Sequence, residues 1–399
     1  MDPRTNPYAP GAGTIPPELA GRDEVIEKAA IALDRCRNGL SSRGLLLVGL
    51  RGVGKTVLLT RISQEAEARG FIVVSIETPE KRSLPALIIP ALRSALLKLD
   101  RIAVAGELGK RALRVLGGFV GAMKVKYKDV EFGVNLEPEV GIADSGDLEH
   151  DLTALFLEVG SAAKEKKTAL VLFIDEIQYI EEEQFAALIM ALHKCTQSQL
   201  PVTLIGAGLP QLVGQAGRAK SYAERLFEYP QIGPLIKSAA REALVAPAAK
   251  LGVRYEDKAL EYILSQTKAY PYFLQEWGKH SWYCAKQSPI VRKDVRSATE
   301  MAIADLDASF FRVRFDRLTP GEKKYLRAMA EIDPKHCRSG DIARLLKKEV
   351  QSVAPTRATL IAKGMIYSPS HGENSFTVPL FEDFMKRVIP DFKATVENS

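Results

Sequence analysis

Residues 44–56 read GLLLVGLRGVGKT. The first part is apolar without alternation, the pattern of a strand buried on both faces of a parallel sheet. A glycine-rich turn follows, and the segment after it carries helical periodicity to about Arg69. Strand, turn and helix in this order restrict the chain to a sheet whose strand ends face a ligand. The turn fits G-x-x-x-x-G-K-S/T. Its glycines let successive backbone N–H groups point inward, and the helix N-terminus adds partial positive charge, so the loop suits phosphate. Gly49, Leu50, Arg51, Gly52, Val53, Gly54, Lys55, Thr56 and Val57 are the expected nucleotide-binding residues. Lys55 is expected at the β- and γ-phosphates, and Thr56 at a Mg²⁺ ion.

A second buried strand reads FIVVSIET, followed by a helical LPALIIPALRSALLKL; TALVLFIDE, EEEQFAALIMALHKC and PVTLIGAG continue the alternation. Strand and helix in turn predict a doubly wound α/β fold. In TALVLFIDE, Asp175 and Glu176 emerge at the C-terminal end of a strand, where ligands bind in such sheets. Asp175 is expected to hold Mg²⁺ through water, and Glu176 to orient or deprotonate an attacking water. The pair favours hydrolysis of ATP over transfer to a small acceptor.

A chain of 399 residues is too long for one core. Residues 1–18, rich in Pro and Gly, read as a flexible N-terminal tail, and 19–234 as the nucleotide domain. Within it, 101–146 breaks the rhythm. Val125, Tyr127, Val130, Phe132, Val134 and Leu136 alternate with Lys124, Lys126, Lys128 and Glu131, which predicts a β-hairpin insertion whose lysines guard a sheet edge. Residues 235–316 read as a helical lid and 317–399 as a separate small domain.

GLRGVGKT, LVLFIDEIQYI and the helical segment after them resemble the AAA+ and STAND branch of P-loop ATPases, including the archaeal origin-recognition ATPases and bacterial AAA-family ATP-binding proteins. The resemblance spans about residues 18–390. It implies a P-loop NTPase parallel sheet, a helical lid and a C-terminal winged helix-turn-helix. AGRDEVIE resembles the segment that lines the adenine pocket in those families, which implies such a role for Arg22. KSYAERLFEYPQIGPL resembles the segment carrying an arginine finger; Arg225 fits best and Arg218 second, with pairing of Arg225 to Glu224 or Glu228 as the alternative. TKAYPYFLQEWGKHSW resembles the lid motif whose proline packs near adenine, which implies Pro271, although a proline opening a helix of core aromatics reads equally well. Two features depart from the family. The fourth strand ends in Gly206, Ala207 and Gly208 with no polar sensor, and the lid offers only Lys268 and Lys279 in place of an arginine. Both imply slow, switch-like hydrolysis; the resemblance to the arginine-finger segment implies an ATP-dependent homo-oligomer.

Near the C-terminus, Ile342, Leu345 and Leu346 form one apolar stripe and Val353, Leu360 and Ile361 the next; GMIYSP and NSFTVP then suggest a wing. From Lys335 to Lys363, seven Lys and Arg oppose two Asp and Glu, a local net of +5. Thr356, Arg357, Thr359 and Lys363 are expected on the exposed face of the second helix, and residues 338–375 as a surface for double-stranded DNA. A protein-binding or autoinhibitory module within an oligomerising scaffold is the alternative. The overall charge of +6 permits nucleic-acid binding without demanding it. The four cysteines form no C-x-x-C pair, no apolar run reaches membrane-spanning length, and the N-terminus lacks a signal-peptide pattern; the expected location is the cytoplasm.

Overall fold

The computed structural model describes residues 1–11, 13–102, 107–130, 138–333, 337–370 and 372–392. They form two compact units: Arg22–Gly49 with Lys55–Ile232, and Met1–Gly21 with Leu50–Gly54 and Gly233–Ser399.

The first unit is built on a parallel sheet of β1 (Gly44–Val48), β2 (Ile72–Glu77), β3 (Leu170–Asp175), β4 (Val202–Gly208) and β5 (Phe227–Glu228). Their order is β2-β3-β4-β1-β5. Every residue of β1, β3 and β4 is buried, which explains their unbroken apolar sequences. Helices Lys55–Ala68, Leu84–Ile102, Leu148–Glu165 and Glu182–Gln197 supply apolar side chains such as Leu58, Leu92, Phe156 and Phe185 to the unit's core. Burial of each large side chain contributes on the order of 2–3 kcal/mol. Helix Leu148–Glu165 is capped at its start: the Asp147 carboxylate accepts from His150 N at 2.7 Å. Register fixes the site. Val48 pairs with Gly208, and Glu77 with Asp175, so the C-terminal ends of β2, β3, β4 and β1 lie along one edge.

The predicted hairpin insertion is corrected. Glu107–Lys126 is a helix that buries Ala112, Leu113, Leu116, Phe119, Val120 and Met123. Those residues recur with period 3.6, and the alternation that suggested a strand begins only in the helix's last turn. Val125 is 90% exposed and Lys124, Lys126 and Lys128 are exposed, so no sheet edge is guarded there. The packing favours helix despite four glycines: a Cβ on Gly118 would come within 3.1 Å of the Glu139 carbonyl oxygen. The expected second strand, with Glu131, Phe132, Val134 and Leu136, lies outside the described residues.

In the second unit, helices Lys237–Ala249, Asp257–Thr267, Pro271–Cys284 and Arg292–Leu306 pack around Trp277, Leu274, Ile263 and Ala302. The Trp277 indole donates to Thr299 Oγ1 at 2.9 Å. The C-terminal segment holds helices Pro320–Ala330, Ser339–Leu345 and Val350–Ala362, then the antiparallel pair β6 (Ile366–Tyr367) and β7 (Ser375–Phe376), then helix Phe381–Val388. Helix, turn, helix and two-stranded ribbon thus occur in the expected order. His371 lies outside the described residues.

The N-terminal segment differs from the expected flexible tail. Tyr8 is 3% exposed. Its hydroxyl donates to the Leu244 carbonyl and accepts from Tyr255 at 2.9 Å. Asn6 donates to the Lys279 carbonyl at 3.1 Å, and Trp282 donates to the Asp2 carbonyl at 2.9 Å. Gly278 makes room for the ring, since a Cβ there would come within 2.6 Å of it. A Pro- and Gly-rich composition misses this docking because one aromatic anchor and a few hydrogen bonds hold the extended chain.

Candidate functional site

The first unit brings Lys55, Thr56, Asp175 and Glu176 together at the sheet's C-terminal edge. β1 delivers the chain into the glycine turn, and Lys55 opens the following helix. Lys55 is 6% exposed, and its ammonium donates to the Gly49 carbonyl at 2.9 Å. Thr56 is exposed, and its hydroxyl hydrogen-bonds the Asp175 carboxylate. Burial pushes the Asp175 carboxyl above its ordinary range. The Thr56 hydroxyl and the Glu176 N–H act against that rise, the Glu176 charge adds to it, and the Lys55 charge lowers it. Asp175 and Thr56 supply oxygen atoms beside one buried cation, Lys55, and oxygen ligands are what Mg²⁺ requires.

Glu176 follows in a left-handed conformation, φ 50°, at the start of a short turn over Ile177–Tyr179. A non-glycine residue there is held by its surroundings. The Thr78 hydroxyl donates to the Asp175 carbonyl at 2.9 Å and to the Glu176 carbonyl at 2.5 Å. The Gln178 amide donates to Glu176 Oε2 and accepts from Leu209 N at 3.1 Å. Thr78 and Gln178 are the site residues that the sequence reading missed. Their signal was position: Thr78 ends the strand beside β3, and Gln178 lies two residues past Glu176.

Val57 sits half-buried in the second position after Lys55. Arg22 is half-buried at the N-terminus of helix Asp23–Arg37, where burial pushes its guanidinium below the ordinary value. Arg225 is exposed in the short helix Ala223–Leu226, its N–H donating to the Tyr222 carbonyl at 3.0 Å. The anticipated pairing with Glu228 is replaced: Glu228 pairs with Lys28 and with Arg43, the latter at 2.7 Å. Arg218 pairs with Glu182 at 3.1 Å. Among the described residues Arg225 makes no ion pair.

Leu50–Gly54 cluster with the second unit. Gly52 and Gly54 have φ of 81° and 89°, values that favour glycine. Tyr272 N donates to the Gly52 carbonyl at 3.1 Å, and Arg51 N donates to the Thr377 carbonyl at 3.1 Å. Pro271 opens helix Pro271–Cys284, whose buried face includes Phe273 and Trp277, so the core-aromatic reading of that helix holds. Pro271 therefore adjoins Tyr272, the residue that contacts the loop.

The expected DNA surface is corrected in part. Arg357 is half-buried and donates to Asn374 Oδ1 at 2.7 Å and Ser368 Oγ at 2.8 Å. Lys363 is also half-buried; it pairs with Glu322 at 2.8 Å and donates to the Arg317 carbonyl at 3.2 Å. Both basic residues of the second helix therefore tie the helix to its neighbours. Thr356 is half-buried and Thr359 remains exposed. The exposed cations lie earlier, at Arg338, Arg344, Lys347 and Lys348.

Sheet, loop, buried aspartate and adjoining glutamate define a P-loop NTPase fold. Residues 18–205 match the AAA ATPase domain family, and residues 308–385 match a family described as a domain of unknown function (DUF8462). The chain thus carries an AAA+ P-loop ATPase domain. In fold it is similar to the Walker-type ATPase PABY2304 of Pyrococcus abyssi, with TM-score 0.60, 16% identity, and coverage of 92% of this chain and 96% of that one. The Cdc6p of Pyrobaculum aerophilum aligns with TM-score 0.46 and 13% identity over 98% of each chain. The Aeropyrum pernix ORC1 protein, solved in complex with DNA, aligns with TM-score 0.45 and 15% identity over 94% of each. No curated protein matches the chain in sequence. Among the described residues no helix is long and apolar enough to cross a membrane.

Proposed function

We propose that the protein binds ATP with Mg²⁺ and hydrolyses it slowly, as a nucleotide-dependent switch. The observation that carries this reading is the buried Asp175 carboxylate bonded to Thr56 beside Lys55, with Glu176 next in the chain. Lys55 leaves the Gly49 carbonyl to take the β- and γ-phosphates. Thr56 and Asp175 would hold Mg²⁺, which neutralises charge on the phosphate oxygens when bound. Glu176 orients a water and accepts its proton as the oxygen attacks the γ-phosphorus; the bond to the β-bridging oxygen breaks, releasing ADP and phosphate. Arg22 and Pro271 keep their expected roles toward adenine, and Arg225, which makes no ion pair among the described residues, serves a neighbouring copy as an arginine finger.

The nucleotide state is passed to the C-terminal module, supported by the two hydrogen bonds that Leu50–Gly54 make to Tyr272 and Thr377. That module docks on duplex DNA through phosphate contacts from Arg338, Arg344, Lys347 and Lys348. The internal engagement of Arg357 and Lys363 favours a second reading, a protein-binding module in an oligomerising scaffold. A salt titration separates them, because binding through phosphates weakens steeply as salt rises and a protein-only module has no DNA affinity at any salt. The central test is twofold. Lys55→Ala should lose ATP affinity, and Glu176→Gln should form a defined multimer with ATP that the nucleotide-free protein does not. Unchanged ATP affinity in Lys55→Ala refutes the site; an unchanged monomer in Glu176→Gln refutes the finger.

A further inference from the structure

β4 lies between β3 and β1, so its end falls beside the site. That end carries no polar side chain: Gly206, Ala207 and Gly208 fill it. At Gly208 there is no room for one. A Cβ would lie 2.7 Å from Gln178 Oε1, 2.9 Å from Leu212 Cδ2 and 3.2 Å from Ile177 Cγ2. The space is occupied by the side chain of Gln178, which arrives from the turn after β3. Its oxygen accepts from Leu209 N at 3.1 Å, and its nitrogen donates to Glu176 Oε2.

The orientation of this amide is set by its partners. Leu209 N can only donate, so the amide oxygen must face it, and the NH₂ group is then directed at the carboxylate. A glutamine is suited to both contacts at once. Alanine makes neither, and a glutamate at 178 would accept from Leu209 while placing a second carboxylate against Glu176.

We infer that Gln178 is the positioning residue for Glu176, supplying from the β3 turn the polar contact that the glycine end of β4 lacks. The inference rests on the hydrolytic reading of Glu176. Thr78 fixes the backbone of that residue, and Gln178 fixes its carboxylate against the backbone of the neighbouring strand. Hydrolysis then starts from an oriented carboxylate, and the slack left by Gln178→Ala lowers turnover without touching the residues that hold phosphate.

The test measures ATP turnover and ATP affinity in wild type, Glu176→Gln, Gln178→Ala and Gln178→Glu. Expected are a fall in kcat of about ten- to a hundredfold in Gln178→Ala with nucleotide affinity within about twofold of wild type, a misplacement effect. In Gln178→Glu, nearly isosteric, a second carboxylate replaces the donating NH₂ group, so turnover falls at least as far as in Gln178→Ala; a packing role alone would keep it. A second readout needs no turnover. In nucleotide-free protein the Gln178 NH₂ signals, assigned by their loss in Gln178→Ala, should shift in Glu176→Ala and stay in place in Arg218→Ala. Wild-type kcat in Gln178→Ala while Glu176→Gln is inactive overturns this inference alone, as do NH₂ signals unmoved by Glu176→Ala. A wild type without turnover, or a Glu176→Gln variant as fast as wild type, overturns the hydrolytic reading and this inference with it.

Discussion

Gly208→Ala places one methyl group where the end of β4 meets Gln178. Ordinary contact begins at 3.4 Å, and the new Cβ would lie 2.7 Å from Gln178 Oε1, so the oxygen must retreat by about 0.7 Å. The Leu209 N–H to Oε1 bond, now 3.1 Å, then stretches to about 3.8 Å, beyond hydrogen-bond range. Leu212 and Ile177, at 2.9 Å and 3.2 Å from the same methyl, are buried and have little freedom to move. Loss of the hydrogen bond costs about 1 kcal/mol and overpacking about 1–3 kcal/mol. The expected outcome is a lower urea midpoint and a fall in kcat of about tenfold or more, through displacement of the amide that orients Glu176. A double-mutant cycle sharpens the test. Gly208→Ala with Gln178→Ala should turn over no more slowly than the worse single variant, because both act through one contact. The reasoning is refuted if Gly208→Ala keeps both wild-type turnover and the wild-type urea midpoint, or if the two losses in kcat multiply.

Asp175→Asn should unfold at a higher urea concentration than wild type at pH 7 without nucleotide, a gain of up to about 2 kcal/mol, while losing Mg²⁺-dependent ATP binding. Burial raises the Asp175 carboxyl in the folded state, so the folded form binds the proton more tightly. The penalty on the ionised form is therefore full above the raised folded value and absent below the ordinary one of 3.8. The stability difference from wild type should shrink as pH falls through that window. Arg357→Ala removes hydrogen bonds to Asn374, Ser368 and the Glu373 carbonyl, the last at 3.2 Å. It should destabilise the C-terminal module by about 1–3 kcal/mol, seen as a lower urea midpoint of a fluorescence probe placed there. Lys347→Ala with Lys348→Ala should leave stability within about 0.5 kcal/mol and lower the salt slope of any duplex-DNA binding by about 2.

The sequence by itself determined the four longer strands of the sheet and the place of the glycine-rich loop. The apolar runs of β1, β3 and β4 are local statements: a strand buried on both faces has no polar side to alternate with. The loop is equally local, since its function depends on glycine φ values and on backbone N–H groups that any correctly spaced sequence supplies. The Asp175-Glu176 pair was legible because a carboxylate pair at a strand end has a known place in such sheets. Composition could not distinguish a loose tail from the segment anchored by Tyr8, and two-residue alternation at 123–130 gave no warning that the helix Glu107–Lys126 runs into it. Only the tertiary structure decided that Arg357 and Lys363 bond to their neighbours, that Arg225 makes no ion pair among the described residues, and that Gln178 reaches the end of β4. Each depends on which strands and helices lie side by side, a property of pairing order and packing, whereas sequence spacing reports only what lies within a few residues along the chain.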